Sequence, residues 1–208
     1  MYLFEQHNIA ALHIPKNAGS SLREYLKDVL DSRCKPIGPD HNLLRTKYKL
    51  LPEDCRIIAT IRNPYDRLVS MYYHRRGNYN PNGIYSGPKS WEQMLKDTHT
   101  MDLKTWFIKS IKPHFKNGPP EDQPILEHIQ VDGKIPENVF IAKVETLQED
   151  VDRFLAGLNI FTNKKIVVIN VTGRRPPSWQ ECYDSELLQL VYEWDKFIFD
   201  NYYREVLI

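Results

Sequence analysis

Two clusters in this chain have the residue types and spacing to hold anions. The first is Pro15-Lys16-Asn17-Ala18-Gly19-Ser20-Ser21, where small side chains let backbone amides crowd around a ligand and Lys16 supplies mobile positive charge. The second is Arg62, with Ser70 eight residues later; a guanidinium and a hydroxyl at that step suit a second phosphate, separate from the first. Between them stands His41, an imidazole able to take a proton near neutral pH. A base for an acceptor proton, with positive charge where an oxygen leaves as an anion, is the equipment of group transfer. The loop Thr172-Gly173-Arg174-Arg175 adds two further arginines.

The elements that must position these residues are legible as periodicities. Ile9-Ala10-Ala11-Leu12-His13-Ile14 reads as a short buried strand ending at the Lys16 loop. Leu22, Tyr25, Leu26, Val29 and Leu30 then form one apolar helical stripe, so the helix starts at the loop and aims its free N–H groups and positive dipole end at the ligand. Arg56 to Ile61 reads as a second strand, with Asn63 as N-cap, Pro64 at the first helical position and Asp66 at N3; Tyr65, Leu68, Val69 and Tyr72 make its helix's buried stripe. Two strand-turn-helix units in succession predict a parallel sheet with crossover helices. A third strand is expected at Asn138 to Val144, with a helix capped by Thr146 after it. The β-branched run Lys165 to Val171 is expected as a last strand, and Ser185 to Tyr202 as one final helix burying Leu187, Leu188, Val191, Trp194 and Ile198. Leu103 to Ile111 reads as a helix, and Gly77 to Lys89 and Pro113 to Pro124 read as loops. Ligands of such open α/β sheets bind at the carboxyl ends of the strands, where the four pieces above converge.

Composition bounds the rest. The 208 residues, 41% hydrophobic, fit one soluble domain spanning 1–208. Twenty-eight basic and 27 acidic side chains give a net charge of +1, which provides no whole-protein field for nucleic acid or a membrane surface. Three dispersed cysteines, Cys34, Cys55 and Cys182, suggest neither a disulfide framework nor a zinc site. No stretch approaches a membrane span and no signal-like N-terminus is present, so the expected location is cytoplasmic.

The segment His13 to Ser21 resembles the 5′-phosphosulfate-binding loop of sulfotransferases, and Ile61-Arg62-Asn63-Pro64-Tyr65-Asp66-Arg67-Leu68-Val69-Ser70 resembles their 3′-phosphate-binding strand and helix. The nearest likeness is to the carbohydrate sulfotransferases related to heparan sulfate 2-O-sulfotransferase, in which a histidine lies about as far ahead of the arginine as His41, 21 positions before Arg62, does here. Phe140 to Leu147 is also similar to the family's strand-then-helix segment with its glutamate, and Asn170 to Arg175 loosely matches a further cofactor-binding loop. The resemblance implies a P-loop-like three-layer α/β fold with a central parallel sheet flanked by helices. It implies the donor 3′-phosphoadenosine 5′-phosphosulfate, with 3′-phosphoadenosine 5′-phosphate as product, and a hydroxyl acceptor, most simply a saccharide. Lys16, Asn17, Ala18, Gly19, Ser20 and Ser21 would surround the 5′-phosphosulfate, Arg62 and Ser70 the 3′-phosphate, with Arg174 and Arg175 in addition. His41 would be the base and Lys16 the electrophilic clamp.

Other readings use the same residues. A polar turn needs no ligand, and a module that only binds the 3′-phosphorylated nucleotide needs no histidine. A kinase using ATP and Mg²⁺ is disfavoured, because Lys16 precedes Gly19 whereas the Walker A lysine follows its second glycine. The strand ending at Ile61 also delivers Arg62 in place of an acidic metal ligand, so no metal is expected. Asp40, Glu53 and Glu145 are alternative bases. His74, Arg75 and Arg76 either compensate a helix terminus or receive an anionic acceptor, and Tyr79, Tyr85, Trp91 and Trp106 either stack on sugar rings or anchor core and loop.

Overall fold

A computed structural model describes residues 1–31, 33–38, 41, 43–78, 89–114, 119–169, 176 and 178–206. In chain order its elements are β1 (Tyr2–Phe4), β2 (Ile9–Leu12), α1 (Gly19–Val29), β3 (Lys35–Pro36), β4 (Arg56–Ile61), α2 (Pro64–Asn78), α3 (Lys89–Thr100) and α4 (Leu103–Trp106). There follow α5 (Ile125–Ile129), β5 (Val139–Lys143), α6 (Leu147–Ala156), α7 (Ser185–Trp194) and α8 (Lys196–Tyr202), with short 3-10 turns in the connections. The chain divides into two compact units, Met1–Arg62 with Ile125–Val171, and Asn63–Pro124 with Thr172–Ile208. No helix of the described residues is long and apolar enough to cross a membrane.

The first unit carries the whole sheet, in the order β3-β1-β2-β4-β5. β2, β4 and β5 are parallel, as the strand-turn-helix repeats require. β1 runs antiparallel to β2 and to β3, an extension that the periodicity did not announce. The cause is the link between β1 and β2, a single 3-10 turn at Glu5–His7 closed by Asn8 in the left-handed region (φ 53°), which is too short for a crossover and can only fold the chain back. In register, Ala11 pairs with Ile58 and Ile58 with Phe140, one row across the three parallel strands. Ile9, Ala11, Ile58 and Ala142 form one core with Leu22, Tyr25, Leu26 and Leu30 of the α1 segment and Leu147, Val151, Phe154 and Leu155 of α6. The alternate residues Ala10, Leu12, Ile57, Ala59 and Ile61 are equally buried, as expected for a parallel sheet closed on both faces.

Two local expectations change here. The run 165–171 is no strand over its described part: residues 160–169 form no ladder, and Val167 and Val168 are each 71% exposed. Side chains take up backbone groups that a ladder would have used: Ile166 N donates to Gln148 Oε1 (2.8 Å), Ile169 N to Ser21 Oγ (3.1 Å), and Tyr25 Oη to the Lys164 carbonyl (3.3 Å). Thr146 makes no side-chain cap on α6; its hydroxyl donates to Asp150 Oδ2 (2.8 Å), which also accepts from Lys143 N (2.8 Å) at the end of β5.

The second unit is helical. Asn63 caps α2 as read, its Oδ1 accepting from Tyr65 N at 2.9 Å. Tyr65, Leu68, Val69 and Tyr72 are all buried, with Tyr65 against Phe199 (ring centroids 4.6 Å) and Tyr72 against Trp106 (5.5 Å). The helix expected over 103–111 begins as α4 and widens into a π-helical turn at Phe107–Ile111. The final helix is interrupted at Asp195, a residue whose carboxylate suits helix ends better than interiors. The break sets that carboxylate 3.7 Å from the fully buried Arg67 guanidinium, which also donates to the Gln123 carbonyl (3.0 Å) and lies over the Trp194 ring. Burial drags the Arg67 pKa down to about 10 despite Asp195 and Asp122 nearby. Asp195→Ala removes a carboxylate from beside this buried guanidinium and should destabilise the protein by about 3 kcal/mol. The urea midpoint measures it, and a change below about 1 kcal/mol would show that Asp122, Gln123 and Trp194 suffice to hold the charge.

Candidate active site

Parallel pairing of β2 with β4 sets Lys16 and Arg62 at the carboxyl ends of these strands, because Leu12 aligns with Ala59 and both chains leave the sheet in the same direction. Beyond β2 the chain turns tightly, with Asn17 N donating to the Ile14 carbonyl (3.3 Å). Lys16 (φ 64°) and Ala18 (φ 57°) both adopt left-handed backbone, a conformation that costs a non-glycine residue about 1 kcal/mol. Alternation of hand along a short stretch is the geometry of backbone nests that bind anions. Ala18 is the N-cap of α1 and has no side chain able to accept a hydrogen bond, so the first-turn N–H groups have no side-chain cap.

The Asn17 side chain is fully buried, and neither its oxygen nor its nitrogen has a hydrogen-bond partner among the described residues. The half-buried Lys16 ammonium has no carboxylate or hydrogen-bond partner among the described residues, and burial, with the Arg62 charge in addition, lowers its pKa to about 8. Arg62, one residue past β4, donates from Nη1 to the Lys16 carbonyl at 3.4 Å. Two cations thus meet at the uncapped end of a helix, an arrangement that an anion relieves. Ser20 is half-buried; Ser21 is buried and its oxygen accepts from Ile169 N, leaving its hydroxyl proton for another acceptor.

A model of the Sulfotransferase family matches residues 1–205. The chain belongs to the sulfotransferase family. Searches against curated proteins and against solved structures gave no match. Membership makes the chain a transferase of sulfuryl groups to hydroxyl acceptors, built on the α/β fold described above.

Within this sulfotransferase, His41 is brought to the loop through another histidine. His41, with left-handed backbone (φ 61°), meets His13 edge to face, ring centroids 4.8 Å apart at 89°. His13 in turn lies on Gly19, where an added Cβ would stand 2.6 Å from His13 Cδ2. The apolar run Ile9 to Ile14 gives no sign of this contact; the missing side chain at position 19 is the signal in the sequence that points to it.

Ser70 is buried on α2, in the second unit. Arg174 and Arg175 lie outside the described residues, as do Asp40, Tyr79, Tyr85 and the Trp91 side chain. Glu53 belongs to the amino end of β4, lining a cavity of about 350 Å³ with Tyr48, Asp54, Arg56, Glu137 and Asn138, and a six-residue strand separates it from the Arg62 edge. Glu145 stays exposed just beyond β5, whose Lys143 pairs with Ile61. Arg75 is no surface receptor for an anion: it is buried, 2.5 Å from Asp122. Arg76 is exposed and bonds Tyr72 Oη, while His74 is exposed beside Asn78. Trp106 is fully buried in the core. Among the described residues no three His, Cys, Asp or Glu side chains form a metal-binding set.

The lowered Lys16 pKa fixes a sign for anion affinity. Below about pH 8 the lysine is already charged and binding requires no proton; above it, each bound anion must draw a proton onto Lys16, so affinity falls as pH rises. Titration calorimetry with pyrophosphate from about pH 7 to 9.5 should show this fall together with proton uptake, and Lys16→Arg should flatten it. Equal affinity across the range in the unaltered chain would show that the ammonium does not face the anion.

Proposed function

We propose that this sulfotransferase moves the sulfuryl group of 3′-phosphoadenosine 5′-phosphosulfate to a hydroxyl of a saccharide, with closest kinship to the carbohydrate enzymes related to heparan sulfate 2-O-sulfotransferase. The observation that carries the reading is the Lys16 ammonium, half-buried beside Arg62 at the start of α1 and without a counter-ion among the described residues. The orphaned Asn17 amide fits the same anionic group, since it offers a donor and an acceptor that nothing in the described protein uses.

When bound, the donor supplies an activated sulfuryl group whose phosphate leaves as an anion. Residues 16–21 hold the phosphosulfate and Lys16, with the loop amides, stabilises charge on the departing oxygen. Arg62 and Ser70 hold the 3′-phosphate, with Arg174 and Arg175 as further contributors. His41 accepts the proton of the acceptor hydroxyl as its oxygen bonds to sulfur. None of these steps calls for a metal ion. Support for the saccharide comes from the sequence likeness of 13–21 and 61–70 to the carbohydrate sulfotransferases.

Thermal unfolding with 3′-phosphoadenosine 5′-phosphate, ATP plus Mg²⁺, and AMP separates this reading from a kinase. At a hundredfold excess over Kd the 3′-phosphorylated nucleotide should stabilise by about 2.7 kcal/mol, and Arg62→Ala should remove most of that. Equal or greater stabilisation by ATP with magnesium would move the kinase reading to the front. Transfer of labelled sulfate to a panel of desulfated polysaccharides tests the chemistry: His41→Ala should lower the rate by about a hundredfold or more while leaving nucleotide stabilisation intact. Wild-type transfer by that variant would take His41 out of the mechanism, and nucleotide binding with no transfer to any hydroxyl compound would favour a binding module.

A further inference from the structure

We propose that His13 is a positioning residue which fixes the proposed base, His41, to the phosphosulfate loop. The inference rests on the proposed function and adds to it a residue that the motifs leave without a role. Its grounds are geometric. His13 is the first residue after β2 and packs so closely on Gly19, the first residue of α1, that no side chain fits there. Gly19 is not in the left-handed region, so its backbone does not require glycine; the His13 ring does. On its other side His13 lies 6.4 Å from the Tyr2 ring. Tyr2 is tied back to α1, because Arg23 Nη1 donates to its hydroxyl (2.8 Å) and the guanidinium lies 4.7 Å over its ring. The imidazole is therefore seated between β1 and the start of α1.

His41 meets this seated ring edge to face. Such aromatic contacts prefer a definite angle and are worth about 1 kcal/mol. His41 itself has left-handed backbone and lies between β3 and β4, outside every helix and strand of the described residues. A base has to be held to within a fraction of an ångström of its working geometry. His13 supplies a rigid reference for it, and that reference is the same Gly19 whose N–H opens the anion-binding helix. A change at the loop on binding a nucleotide would thus reach the base through the His13 ring.

The test reads this transmission without needing the acceptor. Full-length chain labelled with ¹⁵N at histidine is observed by long-range ¹H–¹⁵N correlation of the imidazole rings, free and saturated with 3′-phosphoadenosine 5′-phosphate; His41→Ala assigns the His41 signals. In the unaltered chain the nucleotide should shift the His41 ring signals. His13→Phe, which keeps an aromatic ring on Gly19, should retain most of that shift, whereas His13→Ala should lose most of it with nucleotide stabilisation in thermal unfolding little changed. A full His41 response in His13→Ala, equal loss in His13→Phe and His13→Ala, or a bound nucleotide that leaves His41 unmoved in the unaltered chain would each overturn the proposal alone. Absence of any nucleotide stabilisation would take down the proposed cofactor, and this inference with it.

Discussion

Like charge held next to like charge is the constraint on which the site depends. Lys16 and Arg62 come from different turns, are both half-buried, and are drawn together by a hydrogen bond from the guanidinium to the lysine's own carbonyl. Left to themselves these groups would separate into water. Parallel pairing of β2 with β4 prevents it, since each turn starts within a few residues of the aligned pair Leu12 and Ala59. Burial of Leu22, Leu26 and Ile58, at about 2 kcal/mol each, offsets the desolvation and backbone strain stored there. The positive end of α1 adds to the imbalance, because Ala18 offers it no cap. Lys16 therefore carries a charge that burial and the neighbouring guanidinium both disfavour, which lowers its pKa to about 8.

The hydrophobic framework around this charge was readable because burial imposes simple periods. Leu22, Tyr25, Leu26 and Leu30 lie in the core where their spacing placed them, and β2, β4 and β5 fall within the apolar runs that announced them. Asn63 caps α2 for the reason its side chain suggested. What sequence could not supply was the outcome of competition between partners remote in the chain. The β-branched run 165–169 has strand propensity, yet Ser21 and Gln148 offer its backbone a different set of bonds and win. Likewise the helix break at Asp195 answers Arg67, far away in sequence. Arg75 looked like a surface charge beside Arg76, but helical phase turns it inward to Asp122.

The site shows the same division. Lys16 and Arg62 were found from residue type and spacing, and the structure puts them in contact. His41 stood out by residue type and by its step from Arg62 in the resemblance, and its contact toward the loop runs through His13, which the sequence placed in a buried apolar run. A glycine that begins a helix is ambiguous in sequence, since Gly is common near helix ends for backbone reasons. Here its cause is a neighbouring ring, and only coordinates distinguish the two.

The interleaved path of the chain has a consequence for how the protein is made. β2 and β4 lie within the first 61 residues, but β5 and α6, which complete the same core, come only after the segment Asn63–Pro124 has been laid down, and the second unit in turn awaits Thr172 onward. Neither core can close from a contiguous stretch of nascent chain. Closing the excursion between β4 and β5 carries a loop entropy that grows slowly, about 0.6 kcal/mol per doubling, so final stability suffers little while the rate suffers more. On the ribosome, the apolar face of Leu22, Leu26 and Ile58 waits for residues 147–155 to emerge, a period in which holding chaperones have a defined surface to cover.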